Sequence, residues 1–224
     1  MRAFSAVLPP RWTRFDLDRP VRDALGKVVE SMLADVPPAA RDRVRRYVFD
    51  GLLSSLNQLA SSGVVTAFLP ADNPAVAAAF PVFAVRPVDF TVGGEPIDPM
   101  DYLVGILGSG AATVIEPIGM VGVRRVTDRD TSKALTDAVA ALPADMSEHL
   151  DAEAAARAGQ AGRLSREIEY VIGVPETDDR WMAITASISV VRGEGSDELL
   201  EAVTSFADRW VETVQWVEDE DDHA

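Results

Sequence analysis

The amino-acid sequence predicts an α+β fold, with one antiparallel β-sheet flanked by helices on both faces. Helix-period apolar patterns occupy residues 18–62 and 196–214, near the two ends of the chain. Segments with period-two alternation lie between them and are bounded by Pro, Gly and Asp turns. Pro117 and Gly119 lie between two of these strands, as in a tight antiparallel connection. We expect a single domain over residues 1–224, since one domain commonly reaches this length.

Two amphipathic helices are predicted near the start of the chain, after an extended stretch around Trp12 and Phe15. The run Asp18-Arg19-Pro20 is typical of a helix start with proline in the first turn. The apolar positions of this first helix recur at helical spacing and are Val21, Leu25, Val28, Val29, Met32 and Leu33. The second helix is expected from about Ala39 to Ser62, with Gly63 as its C-terminal stop.

Strands are predicted wherever the apolar period changes to two. They are Val64–Leu69, Phe80–Val92, Ala112–Glu116, Met120–Thr127, Glu167–Val174 and Trp181–Val191. The last of these has the clearest pattern, with one apolar face and one small, polar face. Trp181, at its start, is expected to be a half-exposed contact. A short helix is predicted to begin at Asp98-Pro99, between the second and third strands.

The final helix carries the longest apolar stripe of the chain. Ser196 is a suitable N-cap, and Asp197 and Glu198 follow in the first turn, where the helix dipole favours anions. The stripe consists of Leu199, Leu200, Val203, Phe206, Ala207, Trp210, Val211 and Val214. Residues 218–224 then form an acidic tail. Residues 130–166 are polar, Ala-rich and weakly periodic, so we interpret them as an insertion between two strands.

The composition excludes several classes of function. The chain has 36 acidic and 21 basic side chains, a formal net charge of −15, two histidines and no cysteine. Without cysteine it has no disulfide, iron–sulfur cluster, thiolate zinc site or thiol nucleophile. The acidic balance disfavours nucleic-acid binding, because phosphates require a cationic surface. No apolar run is long enough for membrane insertion, and the first residues lack the apolar centre of a signal peptide, so we expect a cytoplasmic location.

No catalytic, cofactor-binding or metal-ligating residue is predicted. His149 lies in the polar insertion and His223 in the acidic tail, so neither is placed beside a serine nucleophile within the patterned core. The glycines of Gly93-Gly94 and Gly108-Ser109-Gly110 match neither a P-loop nor a dinucleotide-binding pattern, and we interpret them as turn or helix-end residues. We therefore expect a protein that is not an enzyme and binds no cofactor.

Two groups of arginines have more than one interpretation. The first lies on the second helix and consists of Arg41, Arg43, Arg45 and Arg46. A solvated helix face explains this basic cluster, and a contact site for an acidic partner, or for the chain's own acidic tail, is the alternative. The second group lies on predicted strands and consists of Arg86, Arg124 and Arg125. Such arginines usually cover apolar surface or pair with a neighbour, but their convergence in a deep pocket would indicate a ligand site.

Five motifs together span most of the chain. They are the opening Pro10–Asp18, the strand–glycine–strand element Ile115–Arg124, the strand Ile168–Pro175, the strand Met182–Ser189 and the helix Phe206–Trp216. These motifs resemble small actinobacterial proteins with a PsbP-like fold. The resemblance implies an α/β/α sandwich, no catalytic residues and a binding or assembly role. The insertion at residues 130–166 departs from that pattern.

Three functional hypotheses follow from these observations. The leading one is a non-enzymatic, cytoplasmic binding or accessory protein that acts through protein–protein contact, at a sheet face or groove. The second is a small-ligand-binding protein or enzyme with a pocket lined by arginine and carboxylate groups. The third is an acidic immunity- or secretion-associated partner of a basic protein, for which a net charge of −15 is suitable.

Overall fold

The computed structural model describes residues 3–34, 36–71, 81–92, 94–110, 112–115, 122–130, 163–177 and 180–217. These residues form an α+β structure with four helices and a seven-stranded antiparallel sheet, so the predicted α+β class with an antiparallel sheet is confirmed. The helices are α1 (Arg22–Met32), α2 (Pro38–Ser61), α3 (Pro99–Gly108) and α4 (Ser196–Val211). The strands are β1 (Ala3–Ser5), β2 (Trp12–Asp16), β3 (Thr66–Pro70), β4 (Val82–Pro87), β5 (Thr91–Val92), β6 (Glu95–Pro96), β7 (Ala112–Ile115), β8 (Gly122–Asp130), β9 (Arg163–Gly173), β10 (Trp181–Val191) and β11 (Gln215–Val217).

The large sheet has the strand order β2-β3-β4-β10-β9-β8-β7, and every neighbouring pair is antiparallel. Its longest ladder joins β9 to β10, from Gly173 opposite Trp181 to Arg163 opposite Val191. Two small ribbons accompany it, β1 paired with β11 and β5 paired with β6. The predicted strand at 181–191 has the bounds expected from its alternation, and it is the central strand of the sheet.

One core cluster joins α4 to alternate residues of the central strands. Its buried members are Phe4, Phe68, Phe83, Val85, Ile168, Tyr170, Ile172, Met182, Ile184, Ala186, Ala207, Trp210, Val211 and Val214. Phe83 is fully buried and stacks on Trp210, with ring centroids 4.2 Å apart. The alternation of β10 therefore places its apolar face against α4, as the sequence predicts.

The strand residues that alternate with these core positions point to the other face of the sheet, where α1, α2 and α3 lie. Those that pack with α1 and α2 are Phe15, Ala67 and Leu69. Those that pack with α3 are Val123, Val171 and Ala183. Between these two clusters Ser187 and Ser189 of β10 are exposed, and none of the described helices covers the sheet there. The predicted helical cover of both faces is accordingly only partial.

The predicted strand Phe80–Val92 is wrong in its extent. Its ladder with β10 ends at Pro87, and the Val88 amide still donates to the Trp181 carbonyl at 3.0 Å. Phe90 then turns towards α3, where its ring lies 5.1 Å from that of Tyr102. The residues after Phe90 pair as the separate β5–β6 hairpin rather than as a continuation of the sheet.

Two predicted helix starts are displaced. The first helix begins at Arg22 rather than near Asp18, since the chain first makes a turn in which the Arg19 amide donates to the Asp16 carbonyl. At α4 the N-cap is Gly195, with a φ of +80°, and Ser196 is the first helical residue. The left-handed backbone at this position favours glycine, so the capping role predicted for Ser196 is wrong.

The bounds predicted for the insertion also change. Strand β8 continues to Asp130 and β9 begins at Arg163, and Asp130 lies opposite Leu164 in their ladder. These backbone pairs place residues 163–166 in the sheet, where the side chain of Leu164 is partly buried. The remainder of the insertion, residues 131–162, and the acidic tail at 218–224 lie outside the described residues.

Candidate functional site

The described residues contain no grouping of three or more His, Cys, Asp or Glu side chains suited to a metal ion. His149 and His223 both lie outside the described residues. In the same part of the chain no helix is long and apolar enough to cross a lipid bilayer. The features that bear on function are therefore ion-pair clusters, an exposed sheet edge and a pocket.

Two of the three strand arginines converge on one carboxylate of the open sheet face. Glu169 Oε1 accepts a hydrogen bond from Arg86 at 3.2 Å, and Oε2 accepts one from Arg125 at 2.7 Å. The Glu169 side chain is only 14% exposed, so both contacts are partly shielded from water. Arg86 on β4 reaches Glu169 on β9 across β10, and Arg125 lies on β8. The cluster therefore links strands β4, β9 and β8 through their side chains.

Arg124 points to the opposite face and does not join that cluster. Its Nη1 donates to Asp208 Oδ2 of α4 at 2.6 Å, while the Tyr170 hydroxyl donates to Asp208 Oδ1 at 2.8 Å. Burial, together with the Asp208 carboxylate, raises the pKa of Tyr170 well above its usual range, so the hydroxyl stays protonated. The three strand arginines therefore do not form a common ligand pocket, and this network instead ties α4 to the sheet.

A third cluster surrounds Arg166, the fourth residue of β9. Its guanidinium donates to both carboxylate oxygens of Asp128 at 2.8 Å and to Glu201 of α4 at 2.7 Å. It also donates to the Thr204 hydroxyl at 3.1 Å, and its side chain is 12% exposed. The hydrogen bonds from Arg166 hold the pKa of Asp128 below its usual value.

We expect Arg166→Met to lower the free energy of unfolding at pH 7 by about 1–2 kcal/mol, because the largely exposed carboxylates limit the strength of these bonds. The stabilisation belongs to ionised Asp128, whose folded-state pKa lies below its unfolded value. It is present above that unfolded pKa, about pH 4, and is lost as the pH falls through the lower, folded-state pKa. Urea unfolding of the wild type and of Arg166→Met at pH 7 and near pH 3 measures their difference in the free energy of unfolding. This difference should be smaller near pH 3 than at pH 7. A difference that stays constant would contradict this assignment.

The basic cluster on α2 divides into two kinds of residue. Arg41 donates to the carbonyls of Val36 and Ala34 and so fastens the connection between α1 and α2. Arg45 forms an ion pair with Glu30 of α1. Half of the cluster is thus used to hold the two helices together, while Arg43 and Arg46 are exposed.

The outer edge of β7 is an exposed end of the sheet. Within the described residues no strand pairs with this side of β7. Val114 of β7 is 58% exposed, and on the neighbouring helix α3 Met100 and Val104 are 55% and 63% exposed. We call Met100, Val104 and Val114 together the β7–α3 edge. Nothing in the sequence distinguished these residues, because exposure depends on which strand lies last in the sheet.

A pocket of about 380 Å³ lies between the β1–β11 ribbon and the ends of strands β4, β9 and β10. Its apolar walls include Phe4, Val88, Trp181, Met182 and Trp216. Asp89 and Arg180 supply its charged groups. The half-buried state of Trp181 agrees with the sequence-based expectation, whereas neither charged residue was singled out by the sequence.

Comparison of the chain with protein-family models, with curated proteins and with solved structures finds no match.

Proposed function

We propose that this protein is a non-enzymatic, cytoplasmic binding protein that acts through protein–protein contact, and that its partner adds an extended segment to the edge strand β7. The observation that carries this proposal is the uncharged edge of β7, which pairs with no other described strand and lies beside exposed apolar residues of α3. An unpaired edge presents a row of backbone donors and acceptors that an incoming strand satisfies.

The composition of β7 supports strand addition. Its four residues, Ala-Thr-Val-Ile, include no charged side chain and no proline. Those are devices by which proteins usually block edge pairing. Next to the backbone groups, Met100, Val104 and Val114 supply an apolar surface that a partner can bury.

The opposite edge of the sheet differs. Strand β2 carries Arg14 and Asp16, which form an ion pair at 2.7 Å, and Arg14 also donates to the carbonyl of Phe4 in β1. Charged side chains on an edge strand discourage pairing with another chain. The asymmetry between the two edges therefore favours β7 as the contact site.

The PsbP-like α/β/α sandwich is part of the same proposal. It is supported by the antiparallel sheet and by the packing of α4 and of α1–α3 with alternate residues of the strands. A cytoplasmic location accords with a chain that has no cysteine.

A single substitution at the edge tests the proposal. Val114→Lys is expected to abolish partner binding, since it places a charge where the incoming strand would pack, while the free energy of unfolding changes by no more than about 0.5 kcal/mol. Native co-purification from the source cell, with the bound protein quantified by mass spectrometry, measures the loss. Val191→Lys is the matched control, because Val191 is 48% exposed on the central strand β10 and far from either edge in strand order.

Three outcomes of this experiment contradict the proposal. They are a Val114→Lys protein that keeps its partner, an equal loss of partner binding in Val191→Lys, and the absence of any stoichiometric partner of the wild-type protein.

The ionic strength of the buffer then separates strand addition from the hypothesis of an acidic protein that captures a basic one. Strand addition predicts an association rate that changes little between low and physiological salt, whereas charge-steered capture predicts a strong decrease.

A further inference from the structure

We infer that the pocket between the β1–β11 ribbon and the sheet binds a small zwitterionic amphiphile, a molecule with an apolar body that carries adjacent ammonium and carboxylate groups. Its volume of about 380 Å³ is within the range of small-molecule sites, roughly 300–1,000 Å³. Such sites are mostly apolar with a few polar groups that orient the ligand, and this pocket has that character. The inference does not depend on the proposed contact at β7.

Two tryptophans on different elements line the pocket. Trp181 is held by the hydrogen bond from the Val88 amide to its carbonyl at 3.0 Å, and its ring makes an edge contact with Phe90 at a centroid distance of 5.7 Å. Trp216 lies opposite Phe4 in the β1–β11 ladder. Because the backbone at both rings is fixed by strand pairing, the site loses little conformational entropy on binding an apolar group.

The two charged groups of the pocket are opposite in sign. Pro87 lies across from Met182, and the next residues of the two strands are still hydrogen bonded, so Asp89 and Arg180 occupy the following cross-strand position. Both side chains are exposed, and within the described part of the chain neither takes part in an ion pair or a side-chain hydrogen bond.

This pair of charges selects the head group of the ligand. A lone carboxylate would be attracted by Arg180 and repelled by Asp89, and a lone ammonium would experience the reverse. A zwitterion satisfies both side chains, with its carboxylate accepting from the guanidinium and its ammonium donating to the Asp89 carboxylate. The apolar body then extends from the charged mouth towards Met182 and the two tryptophans.

Three probes with the same aliphatic body and different head groups test this inference: 2-aminooctanoic acid, octanoic acid and heptylamine. Titration into the full chain, followed by tryptophan emission and by calorimetry, should give an affinity at least about tenfold higher for 2-aminooctanoic acid than for either other probe. Arg180→Met and Asp89→Asn should each reduce the affinity for 2-aminooctanoic acid by about tenfold. Both residues are exposed, so the variants are expected to fold.

Two control variants accompany these titrations. Arg43→Met changes an exposed arginine on α2, and Val191→Lys changes the end of β10 remote from Met182, so both should bind 2-aminooctanoic acid as the wild type does. Equal affinities of the three probes for the wild type would overturn the inference, as would the absence of both heat and emission change up to their solubility limits.

Discussion

Replacing Phe83 by Ala is expected to lower the free energy of unfolding by about 3–5 kcal/mol. Phe83 has no exposed surface and sits at the point where β4 meets α4. Its ring stacks on Trp210, and the rings of Trp12 and Phe206 lie 5.5 and 6.1 Å away by centroid distance. The substitution therefore removes transfer free energy and also leaves a cavity that the rigid sheet cannot close.

Chemical denaturation followed by circular dichroism measures this loss, and two further substitutions calibrate it. Phe83→Leu keeps most of the volume, so a smaller loss of about 1–2 kcal/mol is expected. Tyr47→Ala removes an aromatic ring that is 51% exposed on α2, and its effect should stay within about 0.5 kcal/mol. A loss for Phe83→Ala no larger than that for Tyr47→Ala would show that the aromatic cluster does not anchor α4.

The strand with the most accurately predicted bounds is β10, which has one apolar face against α4. In β10, Met182, Ile184 and Ala186 alternate with smaller, more polar residues because α4 covers only one side. The period of two is then enforced by burial, and it is visible in the sequence without knowledge of the neighbouring strands. The extra pairing of residues 163–166 in β9 was not predicted, since Leu164 is the one apolar residue in this short run and a single apolar residue shows no period of two.

The backbone breaks were less predictable than the strands. Phe80–Val92 has a strand-like composition throughout, yet the ladder ends at Pro87 and Phe90 packs against α3. The end of the ladder depends on the position of α3, which is determined by tertiary packing and not by the local sequence. Likewise Gly195 takes the cap position of α4 through its positive φ, although Ser196 has the better capping side chain.

The candidate sites depended still more on strand order. Arg86 and Arg125 are 39 residues apart in numbering, and only the order β4-β10-β9-β8 brings both to Glu169. The same order leaves β7 at an edge and places Asp89 across from Arg180 at the pocket. Because side-chain period reports the face of a strand and not its neighbours, no such juxtaposition can be derived from the sequence pattern.

Replacing Asp208 by Ala is expected to lower the free energy of unfolding by about 2–3 kcal/mol. The Asp208 carboxylate accepts from the Tyr170 hydroxyl and from Arg124, so its loss leaves a buried hydroxyl without an acceptor and a cation without its counter-charge. Arg124 Nε has no hydrogen-bond partner among the described residues, which makes the lost contact to Nη1 harder to replace. Partial exposure of Asp208 and Arg124 keeps the loss below that of a fully buried pair.

A double-mutant cycle separates the hydroxyl from the cation. Tyr170→Phe alone should cost about 1 kcal/mol, since it removes one hydrogen bond and leaves the ion pair to Arg124. In the Asp208→Ala background the same change should cost nothing or restore stability, because the hydroxyl it removes is then an unsatisfied buried donor. If Tyr170→Phe costs the same in both backgrounds, the two groups are not coupled. In that case the packing of Trp210 and Phe83, and not this polar network, determines how α4 sits on the sheet.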